Sequence, residues 1–583
     1  MRRGVRRFPL VLALCGLFLT PAAPVRAARP LPLPPPLPLA ALYDNAAHTD
    51  LDGAGNALPA DDLAAAGWTP GRELNVDGAR LTWPRRPPGA PDNVRAAGQA
   101  VRLGGRGDAL AFLVTGTAGT TVDGVGTVRY ADGSTSGYRL TVPDWRTGPL
   151  GAKALAVAHI DTPGGRIAER ARLYVVTVPL ARGRAVSSVR LPLAPDLHVF
   201  ALAVREAAPG WTGSWAASAS GLPAVGPWTD RTLRLVVHTS AGGPRVRLRF
   251  ANPFASAPVR IGAVTVAPRA ADAVARAVPV PLSFGGRADV EVPAGAQAVS
   301  DPLAFAVPAG ADLLVSLHLP GTVTSAPSHT LAVQRSYLSE PGDHTADPAG
   351  TAYGTTVTTW PLLTGVDVGG GPGAVVLLGD SITDGDRSTT DTNRRWPDAL
   401  AARLRAQDAV PRYGVLNAGI SANRVVGDRY PGDGVSTVGG GVSAVHRLGR
   451  DVLAQTSVRT LIVFEGINDV RGGTTAAEVT AGLREIAERA RAHGVRVLGA
   501  TLLPCGGSAR YTAAMEAERT AVNAWIREAG AIGTFDGVLD FDRALRDPAA
   551  PARMLPGYDS GDHLHPGDAG YAALAEAVDL ALL

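Results

Sequence analysis

Residues 375–379, Val-Val-Leu-Leu-Gly, run apolar without interruption and stop abruptly at Asp380-Ser381. A short apolar run of this kind predicts a strand buried on both faces, as in a parallel sheet covered by helices on each side. Open α/β sheets of that type place their ligands beyond the carboxyl ends of the strands. A serine directly after the run therefore stands where chemistry is done. Gly-Asp-Ser after a strand is also a common turn, so the weight comes from three segments further along the chain.

Those segments fall in a fixed order: Val415-Leu416-Asn417-Ala418-Gly419-Ile420-Ser421-Ala422-Asn423, then Val463-Phe464-Glu465-Gly466-Ile467-Asn468-Asp469, then Asp562-His563-Leu564-His565-Pro566. A serine hydroxyl needs a base within hydrogen-bond reach to become a nucleophile. The base in turn needs an acceptor on its other nitrogen, and the developing oxyanion needs donors already aimed at it. The four segments together resemble the SGNH (GDSL-type) hydrolase family over about residues 370–583. The resemblance implies that Ser381 is the nucleophile, His565 the base and Asp562 its orienting carboxylate. It also implies three oxyanion donors: the Ser381 and Ala422 backbone N–H groups and the Asn468 side chain.

Ala422 departs from the family pattern, which has glycine there. A backbone donor survives the change, but a positive φ at this position would cost alanine about 1–2 kcal/mol. Gly419 is the alternative donor if the loop shifts, and His563 competes with His565 as base. Asp384, Glu465 and Asp469 are expected to hold loops or cap helices. Arg394 and Arg395 are expected on a solvated helix face, with an anion-gripping role as the other reading. His238 is expected to be a satisfied strand histidine, unless it borders the cleft.

Residues 1–27 combine Arg2, Arg3, Arg6 and Arg7 with an apolar core and end in Val25-Arg26-Ala27. That is the pattern of an export signal rather than a membrane span, and a secreted enzyme is expected. The formal charge of +4 falls to −1 once the leader's five arginines, unopposed by any acid, are removed. Nothing in the remaining charge points to a nucleic-acid partner. Only Cys505 remains after the leader, which leaves no internal disulfide and no cysteine zinc site. No metal or organic cofactor is implied.

Two β-rich stretches precede the α/β region. After a proline-rich spacer over 28–40, residues 41–207 show short alternating runs broken by Gly, Asp and Pro, the signature of an all-β sandwich. Asp92-Asn93-Val94 and Leu197-His198-Val199-Phe200-Ala201 resemble accessory sandwich modules of secreted bacterial glycosidases. Trp68, Trp83 and Trp145 are read as core aromatics, with sugar stacking as the alternative.

Residues 208–366 form a second β block, expected to be a jelly-roll-like sandwich with strands at 233–238, 246–250, 259–266, 288–292 and 313–319. The stretch from Trp211-Thr-Gly-Ser-Trp215 through Asp343-His344-Thr345 resembles a secreted actinobacterial GDSL architecture, in which such a block directly precedes the hydrolase. Residues 367–583 alternate strands and helices. They predict a three-layer, flavodoxin-like domain with a parallel sheet, a helix capped by Thr475 and Glu478, and a last helix over 569–583.

The expected function is a secreted serine esterase acting through an acyl-enzyme on small or polymer-linked acyl esters. Carbohydrate contact through the N-terminal domains is expected with it. The alternatives are an adhesion protein with an inactive hydrolase domain, and an acyltransferase on the same fold.

Overall fold

A computed structural model describes Met1 and residues 35–437 and 439–583. Apart from Met1, the leader lies outside the described residues, as does the first half of the spacer.

The strand expected at residue 375 spans Ala374–Gly379 and is buried along its whole length. It pairs in parallel with Gly414–Gly419 on one side and Val458–Phe464 on the other. Arg496–Ala500 and Gly537–Leu539 complete a five-stranded sheet. In sequence order the strands lie 2-1-3-4-5, so the first strand sits at the point where the winding reverses. Both faces are covered. Trp396, Leu400 and Leu404 join Tyr571 and Leu574 in the core, as do Val479, Leu483 and Ile486 beside Val522 and Ile526. The expected capping box is present, with Thr475 Oγ1 accepting the Glu478 N–H and Glu478 accepting the Thr475 N–H.

The chain's last helix is shorter than expected, running from Asp568 to Glu576. It gives way to a tight turn in which Asp579 accepts the Ala581 N–H. A side chain that bonds its own backbone in this way competes with helix continuation.

The two blocks ahead of this domain are antiparallel sandwiches. In the first, Ala109–Gly116 lies in the middle of a five-stranded sheet facing a four-stranded one. Leu110, Phe112 and Val114 point into the space between those sheets. Ala111 and Leu113 point the other way, into a second core with Trp68, Trp83, Trp145 and Phe200. That double burial explains the continuous apolar run. Trp83 stacks on Phe200 with centroids 5.3 Å apart, and Trp68 Nε1 donates to the Ala294 carbonyl. All three tryptophans are at most 2% exposed, so none presents a face to a sugar. Asn93 and His198 hydrogen-bond each other inside the sandwich, which makes those two sequence segments architectural.

The second block places Leu233, Leu235 and Val237 against Leu248, Val366 and Val368 between two sheets. The strand expected over 259–266 is two strands, Val259–Ile261 and Ala263–Ala271. The chain changes partner at Gly262, where an added Cβ would meet His318 Nδ1 at 3.0 Å. The hairpin Glu73–Val76/Ala79–Thr82 crosses from the first block and joins a sheet of the second through Asn75 and Gln297. The second block in turn lies on the parallel sheet of the C-terminal domain. Gly414 is required there, because a Cβ would stand 2.0 Å from the Gly213 carbonyl oxygen. Among the described residues no helix is long and apolar enough to cross a membrane.

Arg447 is buried at the crossing of these elements. Its guanidinium donates to the carbonyls of Gly379 (3.0 Å) and Ala418 (2.7 Å), and to Asn423 Oδ1 (3.0 Å). It is also 3.3 Å from Asp451 and 3.7 Å from Glu465. Breaking a buried charge set by removing one member costs about 3–5 kcal/mol. Arg447→Met should therefore lower the calorimetric melting point of the parallel-sheet domain's transition by roughly 10 °C; an unshifted transition would contradict the placement.

Candidate active site

Asp380 and Ser381 follow the central strand directly. The chain turns there into one helical turn, Ser381–Asp384. Asp380 Oδ1 accepts the Ile382 N–H at 2.9 Å, and Gly385 leaves the turn with φ +104°. Ser381 is thereby fixed at the strand's carboxyl end, 4% exposed.

His565 arrives from the loop before the last helix. Its Nε2 is 2.9 Å from Ser381 Oγ and its Nδ1 is 2.7 Å from Asp562 Oδ2. Asp562 Oδ1 accepts the backbone N–H groups of Leu564 and His565 at 2.9 and 2.8 Å. One carboxylate therefore orients both the ring and its backbone. Burial raises the Asp562 pKa, but the His565 and Leu564 hydrogen bonds and the His565 charge outweigh it. The carboxyl is held well below its ordinary value. His563 points elsewhere: its Nδ1 meets Asp559 Oδ2 at 2.5 Å and its side chain is 46% exposed.

The three donors expected around the oxyanion are uncommitted among the described residues. Asn468 Nδ2 is buried and has no hydrogen-bond partner. The Ser381 and Ala422 N–H groups likewise have no hydrogen-bond partner among the described residues. An orphaned buried donor is costly in a folded protein unless something else uses it. Gly419 is not available as a substitute, because its N–H donates to Asn417 Oδ1 at 2.8 Å. Gly419 is instead required by packing: a Cβ there would lie 2.3 Å from the Asp384 nitrogen.

Ala422 adopts φ +63°, the left-handed conformation that makes alanine strained. Hydrogen bonds hold the loop on both sides of it. Ile420 N–H donates to the Gly379 carbonyl, Ser421 N–H to Asp384 and Asn423 N–H to the Ile420 carbonyl. The Val425 and Val426 N–H groups both donate to Asp469.

Asp384 and Asp469 thus hold loops, as their positions suggested. Glu465 does not: both of its carboxyl oxygens are buried without a hydrogen bond. It follows Phe464, which pairs with Gly379 across the sheet, so Glu465 and Asp380 are neighbours on adjacent strand ends. Burial raises both acids, and the charge of Asp380 raises Glu465 further.

Arg395 is not on a solvated face. It is 6% exposed, donates to the Ala332 carbonyl at 2.8 Å and lies over the Trp360 ring. Burial results from the second block packing over this end of the helix. Arg394 is exposed and pairs with Asp568 at 3.1 Å. His238 is satisfied by Asp312 at 2.8 Å. Cys505 is buried and its thiol is pushed up to about 11, mainly by that burial.

One group at the site had no signal in the sequence. Asp386 Oδ2 lies 3.7 Å from His565 Nε2, with its side chain 31% exposed. It is one more acid in an acid-rich turn, and only the fold shows that it faces the histidine.

Residues 377–573 match the GDSL-like Lipase/Acylhydrolase family. Residues 29–208 match the AziU2-like beta-sandwich domain. No curated protein matches the chain. Similar solved structures include a GDSL-like lipase from Bacteroides thetaiotaomicron, 17% identical, with a TM-score of 0.27 over 36% of this chain and 87% of that one. An acetylxylan esterase from Geobacillus stearothermophilus is 21% identical, with a TM-score of 0.27 over 35% of this chain and 91% of that one. A member of the lipolytic G-D-S-L family from Veillonella parvula is 17% identical, with a TM-score of 0.24 over 35% and 94%.

Two measurements test the site's geometry. Ala422→Gly removes a left-handed alanine and should raise the melting point by a few degrees, about 1 kcal/mol; a fall would place the strain elsewhere. Asp562 has a depressed folded-state pKa, so its stabilisation is present above the ordinary carboxylate value of roughly 3.9. It is lost as pH falls through the folded value. The melting-point gap between wild type and Asp562→Asn should therefore narrow as pH is lowered from about 6 towards 3.

Proposed function

Because this chain carries a GDSL-like lipase/acylhydrolase domain over residues 377–573, we propose that it is a secreted serine esterase working through an acyl-enzyme. The observation that carries the reading is the uninterrupted line from Ser381 Oγ through His565 to Asp562, with hydrogen bonds of 2.9 and 2.7 Å. A decayed hydrolase kept only for binding has no reason to hold that line.

Ser381 Oγ attacks the ester carbonyl while His565 Nε2 takes its proton. Asp562 accepts from Nδ1 and stabilises the imidazolium that forms. The tetrahedral oxyanion is received by the Ser381 and Ala422 N–H groups and Asn468 Nδ2. Collapse breaks the bond to the alcohol oxygen, and His565 returns the proton to that oxygen. Water, deprotonated by the same nitrogen, then attacks the acyl-enzyme and frees Ser381 together with the acid. No step uses a metal or an organic cofactor.

The departing oxygen must pass close to His565 Nε2, and so close to Asp386. A carboxylate there accepts hydrogen bonds from hydroxyls on the alcohol part. That supports esters of carbohydrates or other polyols on cell-surface polymers. The buried Trp68, Trp83 and Trp145 take no part in binding such a carrier.

Hydrolysis of short and medium p-nitrophenyl esters by the mature protein tests the reading. Ser381→Ala should abolish turnover and labelling by a fluorophosphonate. Asn468→Ala should lower kcat by about 10²–10³-fold, the loss seen when one oxyanion donor is removed. Wild type that neither turns over esters nor is labelled would overturn the esterase reading.

A further inference from the structure

Asp384 lies three residues after Ser381, fully enclosed, and its two carboxylate oxygens serve different domains. Oδ2 accepts the Ser421 N–H at 2.8 Å. Oδ1 lies 2.9 Å from Nε2 of His329, which belongs to the second β block. The side chains of His329 and Asp384 are only 5% and 3% exposed.

The partners of His329 define its protonation. Its Nδ1 is 3.0 Å from the Ser218 carbonyl oxygen, and its Nε2 is also 2.9 Å from the Leu331 carbonyl oxygen. Carbonyl and carboxylate oxygens only accept, so both ring nitrogens must carry hydrogen, and an imidazole with both hydrogens is a cation. Burial alone would lower the His329 pKa, but the charge of Asp384 and its hydrogen bond outweigh it and raise it. The face of Trp360, with ring centroids 5.4 Å apart, encloses the imidazolium further.

What this ion pair touches gives it a consequence beyond joining two domains. Ser421 immediately precedes Ala422, whose left-handed conformation is sparsely populated for a residue with a side chain. Such a conformation persists only where its surroundings over-determine it. The Asp384 carboxylate holds the N–H of the residue before that strained one, and His329 holds the carboxylate.

We propose that His329 is a positioning residue for ester hydrolysis: the second β block supplies an imidazolium that fixes Asp384, and through it the Ser421 amide, so that the Ala422 N–H stays aimed at the oxyanion. This rests on the reading of Ala422 as an oxyanion donor. A pair that merely staples the domains would change stability alone. A pair that aims a donor changes the transition state more than the ground state, and hence kcat more than KM.

The test uses full-length protein with p-nitrophenyl acetate as substrate. Phenylboronic acid serves as a tetrahedral mimic, since it adds to Ser381 and presents an oxygen to the donors. Thermal melts establish that each variant is folded. His329→Ala and Asp384→Ala should lower kcat by about 10- to 100-fold, the scale of a donor misplaced by an ångström. KM should stay within about threefold, and boronate affinity should weaken by a factor comparable to that in kcat.

Asp384→Asn should recover most of what Asp384→Ala loses. Its amide oxygen still accepts from Ser421, and its NH₂ can donate to Nε2 of a now neutral His329, with only the Leu331 hydrogen bond given up. That comparison reads the relay without emptying the imidazole's cavity, should His329→Ala fail to fold. Folded alanine variants with wild-type kcat and boronate affinity would overturn the proposal, as would Asp384→Asn no better than Asp384→Ala. Active wild type with an unaffected His329→Ala sinks the relay alone. Wild type without Ser381-dependent turnover sinks the esterase reading, and the relay with it.

Discussion

The site depends on how the carboxyl ends of two parallel strands are closed. At the ends of the strands Ala374–Gly379 and Gly414–Gly419 the ladder stops while the chain is still inside the protein. The carbonyls of Gly379 and Ala418 must find donors there or carry the cost of burial. Arg447 donates to both, beside the Ile420 N–H that also reaches the Gly379 carbonyl, and adds a third hydrogen bond to Asn423 with its charge balanced by Asp451. A guanidinium suits the task because its planar fork presents several donors in fixed directions. Ser381 leaves one of these strand ends and Ala422 lies just beyond the other, so a single buried cation bridges the two strand ends from which they depart. It does so without touching either.

Around that cation the site is built from acids with divided labour. Asp384 and Asp469 commit oxygens to backbone N–H groups of the loop that carries Ala422. Asp562 commits one oxygen to its own loop and the other to His565. Burial pushes Asp469 up to about 6, whereas the hydrogen-bonded, charge-facing Asp562 is pulled the other way. Two carboxylates of one chain thus diverge because one is buried beneath the sheet's end and the other faces an imidazole. Only the second faces the imidazole, with Asp562 Oδ2 2.7 Å from His565 Nδ1.

Much of this was legible in the sequence because it is local. An apolar run ending in Gly-Asp-Ser encodes a strand, its stop and a nucleophile within a few residues, and Asp562 and His565 sit on one short loop. The cost of alanine at a positive φ was foreseeable from stereochemistry, and the structure supplies the φ. The competition between Gly419 and Ala422 was not decidable from spacing, because it turns on whether Asn417 reaches back to the Gly419 N–H. Arg395, Asp386, Arg447 and His329 were illegible for a different reason. Each acts on residues brought near by packing, 63 positions away in the case of Arg395 and Ala332; Arg447 has Asp451 four residues on, but the Gly379 carbonyl it caps is reached only through the fold.

The same distinction separates the domains' sequence boundaries from their physical ones. Composition divides the chain near residues 207 and 366, yet the hairpin at 73–82 pairs into a sheet of the second block. The second block reaches the hydrolase through buried polar contacts rather than a polar rim. Asp367, wholly enclosed, takes hydrogen bonds from Arg247 and from Thr456 of the hydrolase. Gly213 and Gly414 approach too closely for any side chain. Cutting the chain between blocks would leave Asp367 without the Thr456 hydroxyl, Arg395 without the Ala332 carbonyl, and His329 and Asp384 without each other, each a desolvated group in need of a partner. An interface that buries charged groups against fixed hydrogen-bond partners tolerates little sliding, since any displacement strands them. The strained Ala422 loop requires a support of that kind.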